Sequence, residues 1–365
     1  MKQVIEEIGS EFWIDDVITI VDNMHHDFQE NGFSGNHQLL LSGRTAIDYI
    51  CQDLERDRKI TTVYMPAYCC DSIIYPFKNR GIDVIFYDLI HENGKIKCDI
   101  DTTLKIDILY VCNYFGFSTG VDLEMITSMQ DKGVIVLHDR THDLFNKANT
   151  FSLISDYTFC SLRKWMGIPT GAIVSKRGGS FFQASLKECD FSGGKYKGMR
   201  MKYDYLQGNT AIDKEDFLRL FTAFNKRLSG DYQDYSIDKM SLRLLHEQDF
   251  ELVRTRRQQN AKLLHDELSG LNNVSMMFQH EGDRVPLFVP ILVKKEIRNS
   301  LRDYLVGNKV YCPVHWPKSH SLPDTTRADA FYNSELSLVC DQRYGERQMR
   351  KIVDLIKNYC NKTNI

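Results

Sequence analysis

The chain has little proline (8 of 365 residues), little tryptophan (3) and no excess of charge of either sign. Its 46 Lys and Arg stand against 49 Asp and Glu, a formal net charge of −3. A balance this close excludes a strongly basic nucleic-acid binder by composition, and an acidic solvating tail as well. No run of eighteen apolar residues occurs, so no transmembrane helix is expected. Met1 to Asp16 lack a basic segment followed by an apolar run, so no signal peptide is expected and the cytoplasm is the expected compartment. The prolines and the 22 glycines form no long linker and no low-complexity segment. The ten cysteines include no Cys-x-x-Cys pair. Cys112 and Cys160 sit inside apolar runs, where a free thiol behaves as a small hydrophobe. Reduced, buried thiols are therefore expected rather than a disulfide framework, and no Cys/His spacing suits a metal.

What is present is a globular α/β pattern. The hydrophobic fraction, 42%, is too high for disorder. Residues 1–40 read as a helix and an arm, with Phe12, Trp13 and Ile14 as an apolar spot. Ile47, Ile50, Cys51 and Leu54 share one face of a helix that opens at Ser42-Gly43-Arg44-Thr45. Strands are expected at 62–65, 83–88, 107–113, 133–139, 156–162 and 171–176, with helices at 72–80 and 123–132 between them. Short apolar runs alternating with amphipathic helices predict a mostly parallel sheet covered on both faces. Residues 180–240 read as polar, aromatic and loop-rich. Beyond them a long helix near 249–271 and shorter elements to the C-terminus predict a smaller α+β domain. The boundary expected is thus a large domain over 1–240 and a small one over 241–365.

Four features of the large domain lie at strand ends or helix starts, where open α/β sheets bind ligands. Ser42-Gly43-Arg44-Thr45 is either a simple N-cap or an anion site made of helix N–H groups and a hydroxyl. Asp139 ends an apolar strand, with His142 three residues on; it either caps a loop or faces a cation in the crevice. Lys164 follows the strand ending at Ser161, where desolvation and the neighbouring Arg163 can lower an amine's pKa and make it a nucleophile. Asn113 ends the strand before Asp139 and is either a pocket residue or part of a turn.

In this order, with Lys164 25 positions after Asp139, the features resemble the fold-type I pyridoxal-phosphate (PLP) enzymes. Within them the chain is most similar to the DegT-like nucleotide-sugar aminotransferases. The resemblance runs through Ile8-Gly-Ser-Glu-Phe-Trp13, Ser42-Gly-Arg-Thr-Ala46, Pro66-Ala-Tyr-Cys-Cys70, Asn113-Tyr-Phe-Gly116, His138-Asp-x-x-His142, Ser161-Leu-Arg-Lys164 and Leu336 to Tyr344. It implies a large domain with a mostly parallel seven-stranded sheet. It implies transfer of an amino group from an amino acid, glutamate first among them, to a keto sugar nucleotide.

By resemblance, Lys164 forms the Schiff base and moves the proton, Asp139 pairs with the pyridinium nitrogen, and His142 lies near the ring. Gly43, Arg44, Thr45 and Ser161 would hold the phosphate. Tyr68 is the candidate for stacking on the ring, and Asn113 borders it. A homodimer with shared sites is implied, Asn209 being the candidate for a residue lent across to the phosphate. No nucleic acid, membrane or metal is implied.

The chain departs from the family pattern in four places. Arg44 replaces a small residue and Asn113 a His. Thr170-Gly171-Ala172 replaces Gly-Gly. Ser161 is three residues before the lysine, whereas relatives place a serine five before, where Phe159 stands here.

In the small domain, His315 and Arg343 are candidates for a substrate hydroxyl and an anionic group, or else form a packing cluster. The run Arg254-Thr-Arg-Arg257 reads as a solvated helix face. The rival functions are a PLP-dependent lyase or aldol-type enzyme, and a PLP- or sugar-nucleotide-binding protein with little turnover.

Overall fold

The computed structural model describes residues 4–15, 28–33, 36–117, 119–182 and 185–363. The helix expected within residues 1–40 lies mostly outside these. The strands, in chain order, are β1 (Ile8–Gly9), β2 (Asn36–Leu40), β3 (Thr62–Pro66), β4 (Asp83–Glu92) and β5 (Lys95–Asp99). There follow β6 (Ile108–Cys112), β7 (Ile135–Asp139), β8 (Tyr157–Cys160), β9 (Ala172–Lys176), β10 (Lys187–Glu188) and β11 (Tyr235–Ser236). The last four are β12 (Val274–Met276), β13 (Val289–Val293), β14 (Val310–Tyr311) and β15 (Glu335–Leu338).

Among the described residues one sheet has ten strands, in the order β10-β11-β2-β9-β8-β7-β6-β3-β4-β5. The run from β8 through β7, β6 and β3 to β4 is parallel. β9 runs antiparallel between β8 and β2. The seven strands from β2 to β4 are thus the mostly parallel sheet that was expected, and three short or edge strands extend it. β6 (ILYVC) is buried at every position, which is why it reads as an unbroken apolar run. β5 returns from β4 through Asn93 (φ 52°) and Gly94 (φ 69°), a pair suited to the left-handed turn of a tight hairpin.

Residues 180–240 differ from the loop-rich expectation. They hold two long helices, Ser192–Leu206 and Lys214–Gly230, packed against each other. The first contains Gly193, Gly194 and Gly198 and little amphipathic pattern, so propensity argues against it. Tertiary packing overrides this: a Cβ on Gly198 would come within 2.9 Å of the Phe221 ring, so the glycine is what lets the second helix approach.

The C-terminal unit is a sheet of order β12-β13-β15 covered by helices Phe250–Leu268, Lys295–Gly307 and Glu346–Thr363. The N-terminal segment crosses to this unit. β1 pairs in parallel with β14, and Ile8 is fully buried in the C-terminal core. Among the described residues, no helix is long and apolar enough to cross a membrane.

Candidate active site

The carboxyl ends of β3, β6, β7 and β8 and the start of helix Gly43–Leu54 converge on one cavity. Lys164 closes a short turn, Leu162–Lys164, directly after β8. Two bonds tie this turn to the loop after β7: Ser161 N donates to Thr141 Oγ1 (3.1 Å), and Trp165 Nε1 donates to Thr141 O (2.8 Å). Lys164 and Arg163 stand on the boundary between this cavity and a second one of about 520 Å³. The second lies between the arm at Gly9–Phe12 and the C-terminal unit. Among the described residues, the Lys164 amine has no hydrogen bond or ion pair within the chain.

Asp139 ends β7 and is buried. Its carboxylate accepts from Tyr110 Oη at 2.6 Å and from Thr141 N at 2.7 Å. Burial pushes this carboxyl above its ordinary range, with Thr141, Tyr110 and the Lys164 charge opposing the shift. Tyr110 and Thr141 were not singled out from the sequence, although each lies within three residues of a strand end that was. His142 is buried beside Trp316 and His315, with ring centroids 5.5 Å from each. Burial, then the charges of Lys164 and His315, holds it well below the usual histidine range, so the ring is neutral.

On the helix side of the cavity, Ser42 caps Gly43–Leu54. Its Oγ accepts from Thr45 N (3.3 Å) and meets Thr45 Oγ1 at 3.0 Å. Ser42, Gly43 and Arg44 line the cavity, whereas Thr45 is spent on the cap and is not among the described lining residues. A Cβ on Gly43 would lie 3.4 Å from Ser161 Cβ, so the helix start sits directly against Ser161. Tyr68 lines the wall within a cage of Tyr114, Trp316, Phe331 and Tyr332, centroids 5.1–5.3 Å away; among the described residues its buried hydroxyl has no partner. Asn113 also lines the wall, but its amide bonds Asp143 Oδ2 (2.6 Å) and accepts from Thr119 N (3.3 Å). That network joins the loops after β6 and β7. Asn209 accepts from Ala211 N (3.1 Å) and lines neither cavity among the described residues.

His315 lines the second cavity near Lys164. Its Nδ1 meets Ser337 Oγ at 2.8 Å, Ser337 Oγ bonds Glu335 Oε1, and His315 N donates to Glu335 Oε2 at 2.7 Å. Burial, then Lys164, lowers His315 to about 3, and burial raises the fully buried Glu335 to about 8. An ionised Glu335 draws the Ser337 hydroxyl and leaves His315 Nε2 an acceptor; a protonated Glu335 reverses the chain.

Arg343 also lines the second cavity, but its guanidinium is occupied. Nε and Nη2 each donate to Asp341 at 2.8 Å, and Nη1 and Nη2 reach Glu11 O (3.1 Å) and Ser10 O (3.2 Å). It ties the arm to the C-terminal unit. Arg257 overturns the solvated-face expectation, being only 1% exposed. It donates to Gln342 Oε1 (3.0 Å), Leu287 O (2.9 Å), Pro286 O (3.3 Å) and Trp165 O (3.3 Å). Its partners show why: an arginine fork reaches four acceptors beside the Lys164 turn, and two of them, Pro286 O and Leu287 O, would otherwise keep only weak thiol contacts. Among the described residues no group of His, Cys, Asp and Glu could hold a metal ion.

No protein-family profile and no curated protein sequence matches the chain. Solved structures do. DesV of S. venezuelae is 13% identical, with a TM-score of 0.62 over 94% of this chain and 90% of that one. Spr1654 of Streptococcus pneumoniae, in its PLP form, is 14% identical, with a TM-score of 0.64 over 96% and 93%. The sugar aminotransferase CalS13 of Micromonospora echinospora is 13% identical, with a TM-score of 0.59 over 93% and 98%. The chain therefore has the fold of these proteins along nearly its whole described length.

Proposed function

We propose that the protein is a PLP-dependent aminotransferase that moves an amino group from an amino acid, glutamate first among the donors, to a keto sugar carried on a nucleotide. The observation that carries this reading is the Lys164 amine, unpartnered among the described residues, at the junction of two cavities, one of which it lines with the buried Asp139. The names of the structural neighbours support the reaction class and the sugar.

The residues fit the cofactor. Asp139 is a buried carboxylate lacking a cation at hydrogen-bond distance, and a protonated ring nitrogen would relieve the cost of its burial. The same cavity is lined by a helix start, Ser161 and two arginines, a donor set for phosphate. When bound, PLP supplies an electron sink for charge developing at the donor's Cα. Lys164 holds the cofactor and then carries the proton at that carbon. Tyr110 and Thr141 keep Asp139 aimed and favour its charged form against the cost of burial. Neutral His142 and Tyr68, backed by Trp316, wall the ring space and exclude water. His315 offers Nε2 on the substrate side. The enzyme is read as a cytoplasmic homodimer.

Absorption spectra test this. Protein supplied with PLP should show a visible band that is absent in Lys164→Ala and fades when glutamate is added. A band equal in Lys164→Ala, or one that no amino acid bleaches, would leave a binding protein instead of an aminotransferase.

A further inference from the structure

His315 stands at the border of the two cavities. It lines the second beside Lys164, while its neighbours His142 and Trp316, with ring centroids 5.5 and 5.3 Å away, line the first. Phe115 and Phe288, centroids 5.3 and 4.9 Å away, pack on the imidazole and offer it no acceptor. Its Nδ1 edge is committed to Ser337, and among the described residues Nε2 has no partner. Ser337 is a necessary bridge, because Nδ1 lies 4.0 Å from Glu335 Oε1, too far for a direct hydrogen bond. Glu335 is fully buried, and among the described residues no cationic side chain hydrogen-bonds its carboxylate. Arg298 acts on it only at a distance, donating to the backbone carbonyls of Tyr332 and Glu335. Tyr68 and Cys312 are the other titratable groups facing Glu335, and His142 and Lys164 those facing His315. None of them hydrogen-bonds either side chain among the described residues. Oε2 accepts from His315 N, so a proton enters and leaves Glu335 at Oε1, the end that meets Ser337. The state of one buried carboxyl is thus transmitted to the free edge of an imidazole beside Lys164.

Moving an amino group from an amino acid to a ketone uses water twice. On the donor side water cleaves a carbon–nitrogen double bond; its two protons end on nitrogen and its oxygen becomes the ketone oxygen. On the acceptor side the ketone oxygen leaves as water with two protons from nitrogen. Lys164 is committed to the proton at Cα, so the protons at oxygen need another carrier. We propose that His315 is a catalytic residue of these two water steps, with Ser337 and Glu335 as positioning residues that complete a proton relay. In the donor step a water O–H bond breaks and Nε2–H forms. Nδ1 gives its proton to Ser337, and Ser337 gives its own to Glu335 Oε1. The return passage delivers the proton to the nitrogen and leaves the relay as it began. In the acceptor step Nε2 gives its proton to the departing oxygen. The proposal rests on the aminotransferase reading, but the coupling of Glu335 to His315 is measured apart from it.

Two measurements test it. In cofactor-free protein with 15N-labelled histidine, NMR reads which nitrogen of His315 carries the proton; the signal is identified by its loss in His315→Gln. Burial holds Glu335 up to about 8, so in wild type the proton should leave Nε2 for Nδ1 as pH rises through that value. Glu335→Gln should keep Nε2 protonated throughout, because the amide at Oε1 can only donate to Ser337. In PLP-loaded protein given glutamate, loss of the visible band reports the proton step at Cα, and 2-oxoglutarate reports the water step. Glu335→Gln and Ser337→Ala should fade within about three-fold of the wild-type rate yet release 2-oxoglutarate at least about ten-fold more slowly. Wild-type release should slow as pH falls through about 8, and release by Glu335→Gln should not respond. A merely structural role would slow both signals together, and that result overturns the proposal. So does a His315 tautomer that ignores pH in wild type, or follows it equally in Glu335→Gln, while the band still fades; the aminotransferase reading then stands alone. If the tautomer switches as stated but PLP gives no visible band, the coupling stands, and the aminotransferase reading and the water role fall together.

Discussion

Arg257→Met tests whether a buried guanidinium holds the lysine turn in place. The four hydrogen bonds of Arg257 end on three backbone carbonyls and one side-chain amide. After substitution Trp165 O keeps Gln342 Nε2 at 2.7 Å, while Pro286 O and Leu287 O keep only the weak Cys340 thiol contacts at 3.7 and 3.8 Å. Two buried carbonyls thus lose their good donors, and the cation 4.7 Å over the Trp165 ring is lost too. Leaving two buried carbonyls without good donors costs about 1–3 kcal/mol each, about 2–6 kcal/mol together. With an unfolding entropy near 0.8 kcal/mol/K for 365 residues, the melting temperature should fall by about 3–8 °C. Arg257→Lys should recover less than half of this, because an ammonium lacks the fork. Thermal unfolding by circular dichroism measures it. A variant melting within about 1 °C of wild type would refute the argument and restore a solvated helix face.

Three further outcomes follow from the geometry. Asp139→Asn should lower PLP affinity at least about ten-fold while keeping the Tyr110 bond; titration with equal affinity would remove Asp139 from the ring-nitrogen role. Glu335, raised by burial from 4.5 to about 8, contributes stability that is fully present below about pH 4.5 and is lost as pH rises through about 8. Glu335→Gln does not titrate, so its melting temperature should gain on wild type from pH 5 to pH 8; a constant difference across that window contradicts the assignment. Gly116→Ala places a Cβ 2.5 Å from Val285 O and 2.7 Å from Pro286 Cα at φ +99°, and should cost about 2–4 kcal/mol in a urea melt. A change under about 0.5 kcal/mol would mean the loop relaxes freely.

Much of the sheet could be read from residue order. β6 and β7 are apolar runs because both their faces are buried, and Asp139 and Ser161 were found because polar residues ending such runs stand out. The Asn93-Gly94 hairpin is equally legible, an Asn-Gly pair between two strands. Arg257 shows a different failure. It lies on the buried stripe of its helix with Val253, Ala261, Leu264 and Leu268, so its position was informative while its charge misled. Helix Ser192–Leu206 gave no such signal, because its stability lies in contacts with the following helix. The substrate-side candidates divide likewise. His315 faces the Lys164 side of its cavity, whereas Arg343 bonds Asp341 and the arm, a difference set by Asp341 and the carbonyls of Ser10 and Glu11.

The sequence by itself determined the strand-helix alternation, the polar residues at strand ends and the Asp139–Lys164 spacing, all properties of residues near one another along the chain. Only the tertiary structure decided which charges are answered and which are left open. Arg343 is held by Asp341 two residues away and by the distant arm carbonyls of Ser10 and Glu11, and Arg257 by acceptors 29 to 92 residues away, Trp165 among them. Among the described residues Arg163 Nη1 is not satisfied, and Lys164 lines two cavities. Burial and partnering depend on where distant segments meet, and a guanidinium's role follows from its acceptors rather than from its place in a helical period.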